Sequence, residues 1–71
     1  MYIHTYEEML GSGWTVAAFE SHMSVTDMLE MKKWCHRTYG APLTRWKDNI
    51  EYGEVRFEDA KDVMLFILRW S

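Results

Sequence analysis

Four side chains in the sequence belong to the types that bind zinc or act as nucleophiles and bases. They are His4, His22, Cys35 and His36. No two of them stand in the C-x2-C or H-x3-H arrangement that brings zinc ligands together locally. Cys35 and His36 are adjacent, and adjacent side chains on a helix point about 100° apart. We therefore expect a buried thiol and surface imidazoles, with no metal and no cofactor.

Cysteine catalysis is the other chemistry that these residues could support, with His4 or His22 as the base for Cys35. It would require an accessible thiol in an electropositive setting. Cys35 instead falls on the apolar stripe of a predicted helix, where a thiol is inert. Adjacent carboxylates such as Glu7 and Glu8 are expected to face solvent, and the sequence contains no glycine-rich phosphate loop. These patterns predict a protein that is not an enzyme.

The length of 71 residues predicts one domain over residues 1–71. A domain of this size buries only about 60% of the surface that its unfolded chain exposes, so its stability is marginal. The single cysteine excludes an internal disulfide, while four Trp, four Tyr and three Phe allow dense aromatic packing. We therefore expect aromatic packing or oligomerisation to supply the missing stability.

The formal net charge is −3 at pH 7. Proteins that bind phosphate backbones normally carry a basic excess, so this charge disfavours nucleic acid as a partner. No stretch of about 18 apolar residues is present, and the opening MYIHTYEEML lacks the layout of a signal peptide. We expect no membrane association and a cytoplasmic location.

The first twenty residues predict one or two strands. The opening TYEEML fits either a capped helical turn or a first strand, and we favour an extended segment that turns at GSG, residues 11–13. Residues 13–20, GWTVAAFE, are rich in β-branched and aromatic side chains and are bounded by turn formers. They predict a strand that is buried on both faces.

A helix is predicted to follow this strand. It begins after the N-cap Ser24, with Met23 and Met28 placed as a hydrophobic staple, and it ends at Gly40 before Pro42. Its apolar residues fall within about 80° of one another, which makes one buried stripe. That stripe consists of Met28, Met31, Cys35 and Tyr39.

A pair of strands is predicted between the two helices. Val55 and Phe57 alternate with charged residues, the period of a strand with one wet face. Trp46 and Lys47 are expected in the hairpin partner, with a turn at KDN or YGE. The register across residues 44–58 stays open.

The last helix begins at the cap Asp59 and is apolar around about 200° of its surface. A helix on one small sheet buries little more than 100°, so another structure must cover the remainder. Two interpretations stay open. The first helix lies beside the last one and shares its apolar surface, or Leu65 and Leu68 form an interface with another chain, and both can hold together.

These elements together predict an α+β domain, a small antiparallel sheet with two helices packed on one face. The order is βαββα or, with a first strand, ββαββα, loosely like half of a ferredoxin-like fold. The predicted core consists of Val16, Phe19, Met28, Met31, Cys35, Tyr39, Val55, Phe57, Val63, Phe66, Ile67 and Trp70.

Protein recognition accounts best for the composition, because Trp, Tyr, Met and Arg are enriched in interface cores. The alternative is a small nucleic-acid-binding regulator whose open sheet face stacks bases, as in an RNA-recognition motif. That face would use Trp46, Tyr52 and Arg56, with neighbouring glutamates opposing a phosphate backbone. The predicted protein interface consists of Trp34, Arg37, Arg45, Trp46, Leu65 and Leu68.

Three segments also carry a family resemblance. Residues 54–70, EVRFEDAKDVMLFILRW, combine a strand with an acidic DA helix start and an F-x-LRW finish, and GSGW and KKWCHRTYG occur upstream. These blocks, about half of the chain, resemble small uncharacterised accessory proteins of tailed bacteriophages, and they carry no catalytic residue. The resemblance implies a viral origin and an accessory role in the host cytoplasm. We expect a non-enzymatic protein-binding module that docks on a host protein or on itself as a homodimer.

Overall fold

A computed structural model of the chain describes residues 2–8, 13–19 and 23–71. Its elements follow the order ββαββα with a short 3-10 turn between the last two strands. Their bounds are β1 Ile3–Glu7, β2 Thr15–Phe19, α1 Val25–Tyr39, β3 Trp46–Asn49, the 3-10 turn Ile50–Tyr52, β4 Glu54–Phe57 and α2 Ala60–Trp70. The predicted α+β class and element order are confirmed.

The four strands form one antiparallel sheet in the order β1-β2-β4-β3. β4 lies between β2 and β3, so the connection from β2 through α1 to β3 is a split βαβ unit. With four strands and two helices the chain has as many elements as a whole β-α-β-β-α-β ferredoxin-like fold, so the expectation of half such a fold is too small. The extra strand, β1, lies at the edge beside β2 and comes first in the chain.

The opening segment is a strand rather than a helical turn. Its hairpin with β2 closes through a hydrogen bond of 3.0 Å from the Glu8 amide to the Trp14 carbonyl. Residues 11 and 12 of the predicted turn, and residue 20 at the end of the predicted second strand, lie outside the described residues. Gly13 has a φ of +83°, which a residue without a Cβ adopts at little cost.

The capping signals of α1 act as the sequence predicts. The Ser24 hydroxyl accepts a hydrogen bond of 3.1 Å from the Asp27 amide, which satisfies one of the free amides of the first turn. At the other end Gly40 has a φ of +89°, and its amide donates to the His36 carbonyl at 3.0 Å. The predicted helix is therefore confirmed at both ends.

The register of the β3–β4 hairpin determines where Trp46 lies. The turn uses Gly53 in the left-handed region at φ +79°, and it pairs Trp46 directly with Phe57. Trp46 therefore faces the helices, is fully buried, and donates from Nε1 to the Gly40 carbonyl at 2.9 Å. Trp46, which the sequence analysis places in the protein interface, instead occupies the centre of the core and offers no surface to a partner.

Both helices pack on one face of the sheet and share a hydrophobic cluster with it. Of the predicted core residues, Met28, Ile67 and Trp70 are only partly buried at its margin. The fully or almost fully buried members are Ala17, Phe19, Met31, Cys35, Tyr39, Trp46, Ile50, Val55, Phe57, Val63 and Phe66.

β2 is buried on both of its faces, as the sequence predicts. Ala17 faces the helices, whereas Val16 lies on the opposite side of the sheet, and neither is exposed to solvent. Val16 stands directly between Tyr6 of β1 and Arg56 of β4. Both described helices lie on the other face, so the long side chains of these two neighbours cover Val16 here.

Trp46→Phe is expected to lower the free energy of unfolding by about 1–3 kcal/mol. The smaller ring leaves a void in the core, and the Gly40 carbonyl loses its donor. Tyr52→Phe is the matched control, because Tyr52 is 79% exposed and its loss of a hydroxyl should change stability by less than about 0.5 kcal/mol. Urea unfolding followed by circular dichroism measures both, and equal effects would contradict the central position of Trp46.

Candidate interaction surface

α2 presents an apolar face to solvent. Its N-cap Asp59 accepts a hydrogen bond of 2.9 Å from the Lys61 amide, and its buried stripe contains Val63 and Phe66. The opposite side exposes three large apolar side chains, which we call the α2 apolar surface. They are Met64, Leu65 and Leu68, with exposed fractions of 61%, 43% and 76%.

α1 covers only part of the apolar circumference of α2. Trp34 lies between the helices, with its ring edge-on to Trp70 at 6.2 Å and tilted against Phe66 at 6.4 Å. The interpretation that α1 lies beside α2 and shares its apolar surface therefore holds for the flank of α2 that carries Trp70 and Phe66. It does not hold for Leu65 and Leu68, which stay exposed.

Arg45 and Asp62 form a bidentate ion pair that sets the rotation of α2. Arg45 donates from Nε and Nη2 to the two carboxylate oxygens at 3.0 and 2.8 Å. Asp62 is only 5% exposed, and its backbone carbonyl accepts a hydrogen bond of 2.9 Å from the Tyr39 hydroxyl. The hydrogen bond to Asp62 raises the pKa of Arg45, which stays charged.

The six predicted interface residues thus have four different environments. Leu65, Leu68 and Arg37 are exposed, Trp34 is half-buried between the helices, and Trp46 is inside the core. Arg45 binds a buried carboxylate, so a partner would have to compete with Asp62 for it. The sequence analysis did not identify the Arg45–Asp62 pair. The available signal was the position of Asp62, which lies only about 40° from Phe66 on the helix.

The open face of the sheet carries polar and aromatic side chains that pair with one another. Arg56 contacts the carboxylates of Glu8 and Glu54, the latter at 3.2 Å. Glu54 also accepts a hydrogen bond of 3.0 Å from the Tyr6 hydroxyl, which raises the pKa of Tyr6. Lys47 lies 4.4 Å from the centre of the Trp14 ring. The cations of this face are engaged by acidic or aromatic neighbours.

The residues expected for base stacking are not brought together. Trp46 lies on the other face of the sheet, and Tyr52 is on the 3-10 turn outside the strands. Arg56 is on the open face, but two carboxylates neutralise it. The prediction that Trp46, Tyr52 and Arg56 share one open face of the sheet is therefore wrong.

Cys35 has the environment of an inert thiol. It is fully buried, and burial raises its pKa to about 12, with a further contribution from the negative charge of Asp48. Among residues 2–8, 13–19 and 23–71, no three His, Cys, Asp or Glu side chains are grouped to hold a metal ion. His22, a candidate ligand in the sequence, lies outside these ranges.

Comparisons with protein-family models, with curated proteins and with solved structures find no match to this chain. Neither described helix is long and apolar enough to cross a membrane.

The stability of the fold is expected to decrease as the pH rises above about 9. The unfolded chain loses the Cys35 proton near pH 9, whereas the folded chain keeps it until about pH 12. Between these values the unfolded state binds fewer protons, so the free energy of unfolding falls by up to about 1.4 kcal/mol per pH unit. Burial also raises the pKa of Tyr39, which acts in the same direction.

Urea unfolding of the wild type and of Cys35→Ala at pH 8, 9 and 10 measures this effect. The variant should show a shallower decline with pH, whatever its absolute stability. Parallel declines in the two proteins would contradict a buried, protonated thiol.

Proposed function

We propose that this chain is a non-enzymatic protein-binding module, a phage-encoded accessory protein that docks on a host protein in the host cytoplasm. The observation that carries the proposal is the α2 apolar surface. Met64, Leu65 and Leu68 stay exposed on a helix whose other side already fills the core. An exposed apolar face of this kind is typical of a protein interaction site.

The spacing of the surface suits recognition of a helix by a groove. Met64 and Leu68 are four residues apart, and Leu65 extends their row on the adjoining side. Lys61 and Arg69 are exposed beside these residues, so the apolar face has a basic border although the whole chain is acidic. The partner that fits this surface offers an apolar groove with an acidic rim.

In the proposal, Trp34 and Arg37 of α1 add to the contact area of this surface. Trp34 already contacts Trp70 of α2, and Arg37 lies one turn further along α1 and is exposed. Trp and Arg are the side chain types that most often dominate the binding energy of interfaces. In the proposal they form the secondary contact area, and Leu65 with Leu68 forms the centre.

The polar groups of the described residues support a binding role over a catalytic one. The prominent charged clusters are structural pairs, such as Arg45 with Asp62 and Lys32 with Asp48 and Glu51. The depression at the start of α2 is lined mostly by carboxylates, and its one cation, Arg45, is bound to Asp62. The resemblance to phage accessory proteins supports a host protein as the partner.

The double variant Leu65→Gln, Leu68→Gln tests the proposal by affinity capture from the lysate of a candidate bacterial host. Glutamine keeps helix propensity and adds no charge near the helix end, so the fold should persist. The proteins that the wild type captures should be lost with this variant. Loss of the two central leucines together is expected to cost about 2 kcal/mol or more, which corresponds to at least about thirtyfold in affinity.

The matched control is Val25→Gln, Leu29→Gln on α1. These two side chains are also exposed, at 68% and 51%, and also lie four residues apart on a helix. The control should capture the same proteins as the wild type. Loss of capture with both double variants, or with neither, would contradict docking through the α2 apolar surface.

A further inference from the structure

β1 is an edge strand, and the hydrogen bond between Glu8 and Trp14 fixes which of its residues point outward. Glu8 pairs with Trp14, so every second residue of β1, Tyr6 and His4, also exchanges hydrogen bonds with β2. The Phe19 amide bonds to Gly53 on the β4 side, which agrees with this alternation along β2. The backbone groups of the remaining β1 residues therefore point away from the sheet. These residues are Ile3, Thr5 and Glu7.

The two edges of the sheet differ. At the β3 edge, the Trp46 carbonyl accepts a hydrogen bond of 2.6 Å from the Leu43 amide, and the Asp48 side chain binds the Ile50 amide and Lys32. At the β1 edge, no other backbone group of the described ranges pairs with the outward groups. β1 contains no lysine, proline or bulge of the kind that protects an edge, and its one carboxylate, Glu7, stands at its end.

We propose that β1 pairs with β1 of a second copy of this chain, antiparallel, about a two-fold axis at Thr5. Thr5 then faces Thr5 of the second copy, and Ile3 faces Glu7 in both directions. All three outward residues of each strand become hydrogen-bonded, and each of these three pairs exchanges two bonds. A shift of the axis to His4 or Tyr6 would leave one outward residue of each copy without a partner.

The charges of the two strands do not oppose this register. Glu7 faces Ile3, and Glu8 faces Tyr2, so no two carboxylates stand directly opposite each other. The two Glu7 residues are separated by four strand positions, about 14 Å, which exceeds the screening length of about 8 Å at physiological salt. On the open face His4 stands opposite Tyr6, and both are exposed in the single copy.

The pairing gives an eight-stranded sheet with all helices on one side. It uses β1 and not the α2 apolar surface, so it goes beyond the proposed function and does not depend on it. The two α2 apolar surfaces would then lie on the same side of the dimer. A host protein with two grooves could bind both surfaces at once.

Sedimentation equilibrium across a dilution series at moderate salt tests the dimer. The wild type should pass from 8.5 kDa to twice that mass as concentration rises. Thr5→Pro should raise the dimer dissociation constant at least about tenfold, because it removes the two central hydrogen bonds. The Thr5 amide points outward, so proline is compatible with the single copy, and Thr5→Val is the control that keeps the amide.

Disulfide trapping tests the register and does not rely on the proline variant. Opposite residues in a non-hydrogen-bonded pair have Cα atoms about 4.5 Å apart, which suits a disulfide. In a Cys35→Ala background, a mixture of His4→Cys and Tyr6→Cys should oxidise to the mixed dimer, seen by mass spectrometry. Either variant alone should crosslink at least tenfold less.

Three outcomes would overturn the proposal. In the first, the wild type stays at 8.5 kDa at all concentrations. In the second, the Thr5→Pro variant folds but its dimer is as stable as that of the wild type. In the third, His4→Cys or Tyr6→Cys alone crosslinks as efficiently as the mixture. If the variant Leu65→Gln, Leu68→Gln loses host capture but still forms the dimer, host docking uses the α2 apolar surface and dimerisation does not. A monomer that still captures host protein contradicts the dimer only.

Discussion

The bidentate pair between Arg45 and Asp62 constrains how both helices meet the sheet. It joins the residue before β3 to the first turn of α2, and the Tyr39 hydroxyl adds the end of α1 through the Asp62 carbonyl. A buried carboxylate without a cation would be strongly destabilising, so the three segments must meet here. This contact fixes the first turn of α2, and the hydrophobic cluster holds the rest of the helix on the sheet.

The pair also decides which apolar residues of α2 remain outside. The apolar pattern alone would centre the buried stripe between Val63 and Ile67. In the structure the buried stripe consists of Asp62, Val63 and Phe66, and Ile67 lies at its margin. The midpoint of Val63 and Phe66 lies about 50° around the helix from the expected centre, on the side of Asp62. Met64 and Leu68 then point to solvent. The exposed apolar face is therefore the counterpart of a buried acidic residue.

What the sequence predicts well in this chain depends on local interactions. Ser24 and Gly40 cap α1 through bonds within four residues, and the alternation at Val55 and Phe57 shows which face of β4 is buried. The residues that the patterns misplace depend on distant partners. Trp46 is buried because it pairs with Phe57, eleven residues further along the chain. Asp62 is buried because its partner, Arg45, lies 17 residues upstream. A hydrophobicity pattern contains no information on such pairing.

The same limit applies to the candidate surfaces. Leu65 and Leu68 are recognisable from the sequence because a helix apolar around most of its circumference cannot be covered by one sheet. The free edge of β1 is not recognisable, since the strand order and the alternation of its hydrogen bonds appear only in the folded chain.

The α2 apolar surface and the free edge of β1 have a common origin, because only two described helices cover the sheet. α1 contacts β3 and β4 through Trp46 and Phe57, and α2 packs over β2 and β4. Two helices thus cover three strands, and beyond Ile3 the side chains of β1 are exposed. Binding another chain can remove such surface from water without a longer sequence, and because a domain of this size has marginal stability, each partner should also stabilise the fold.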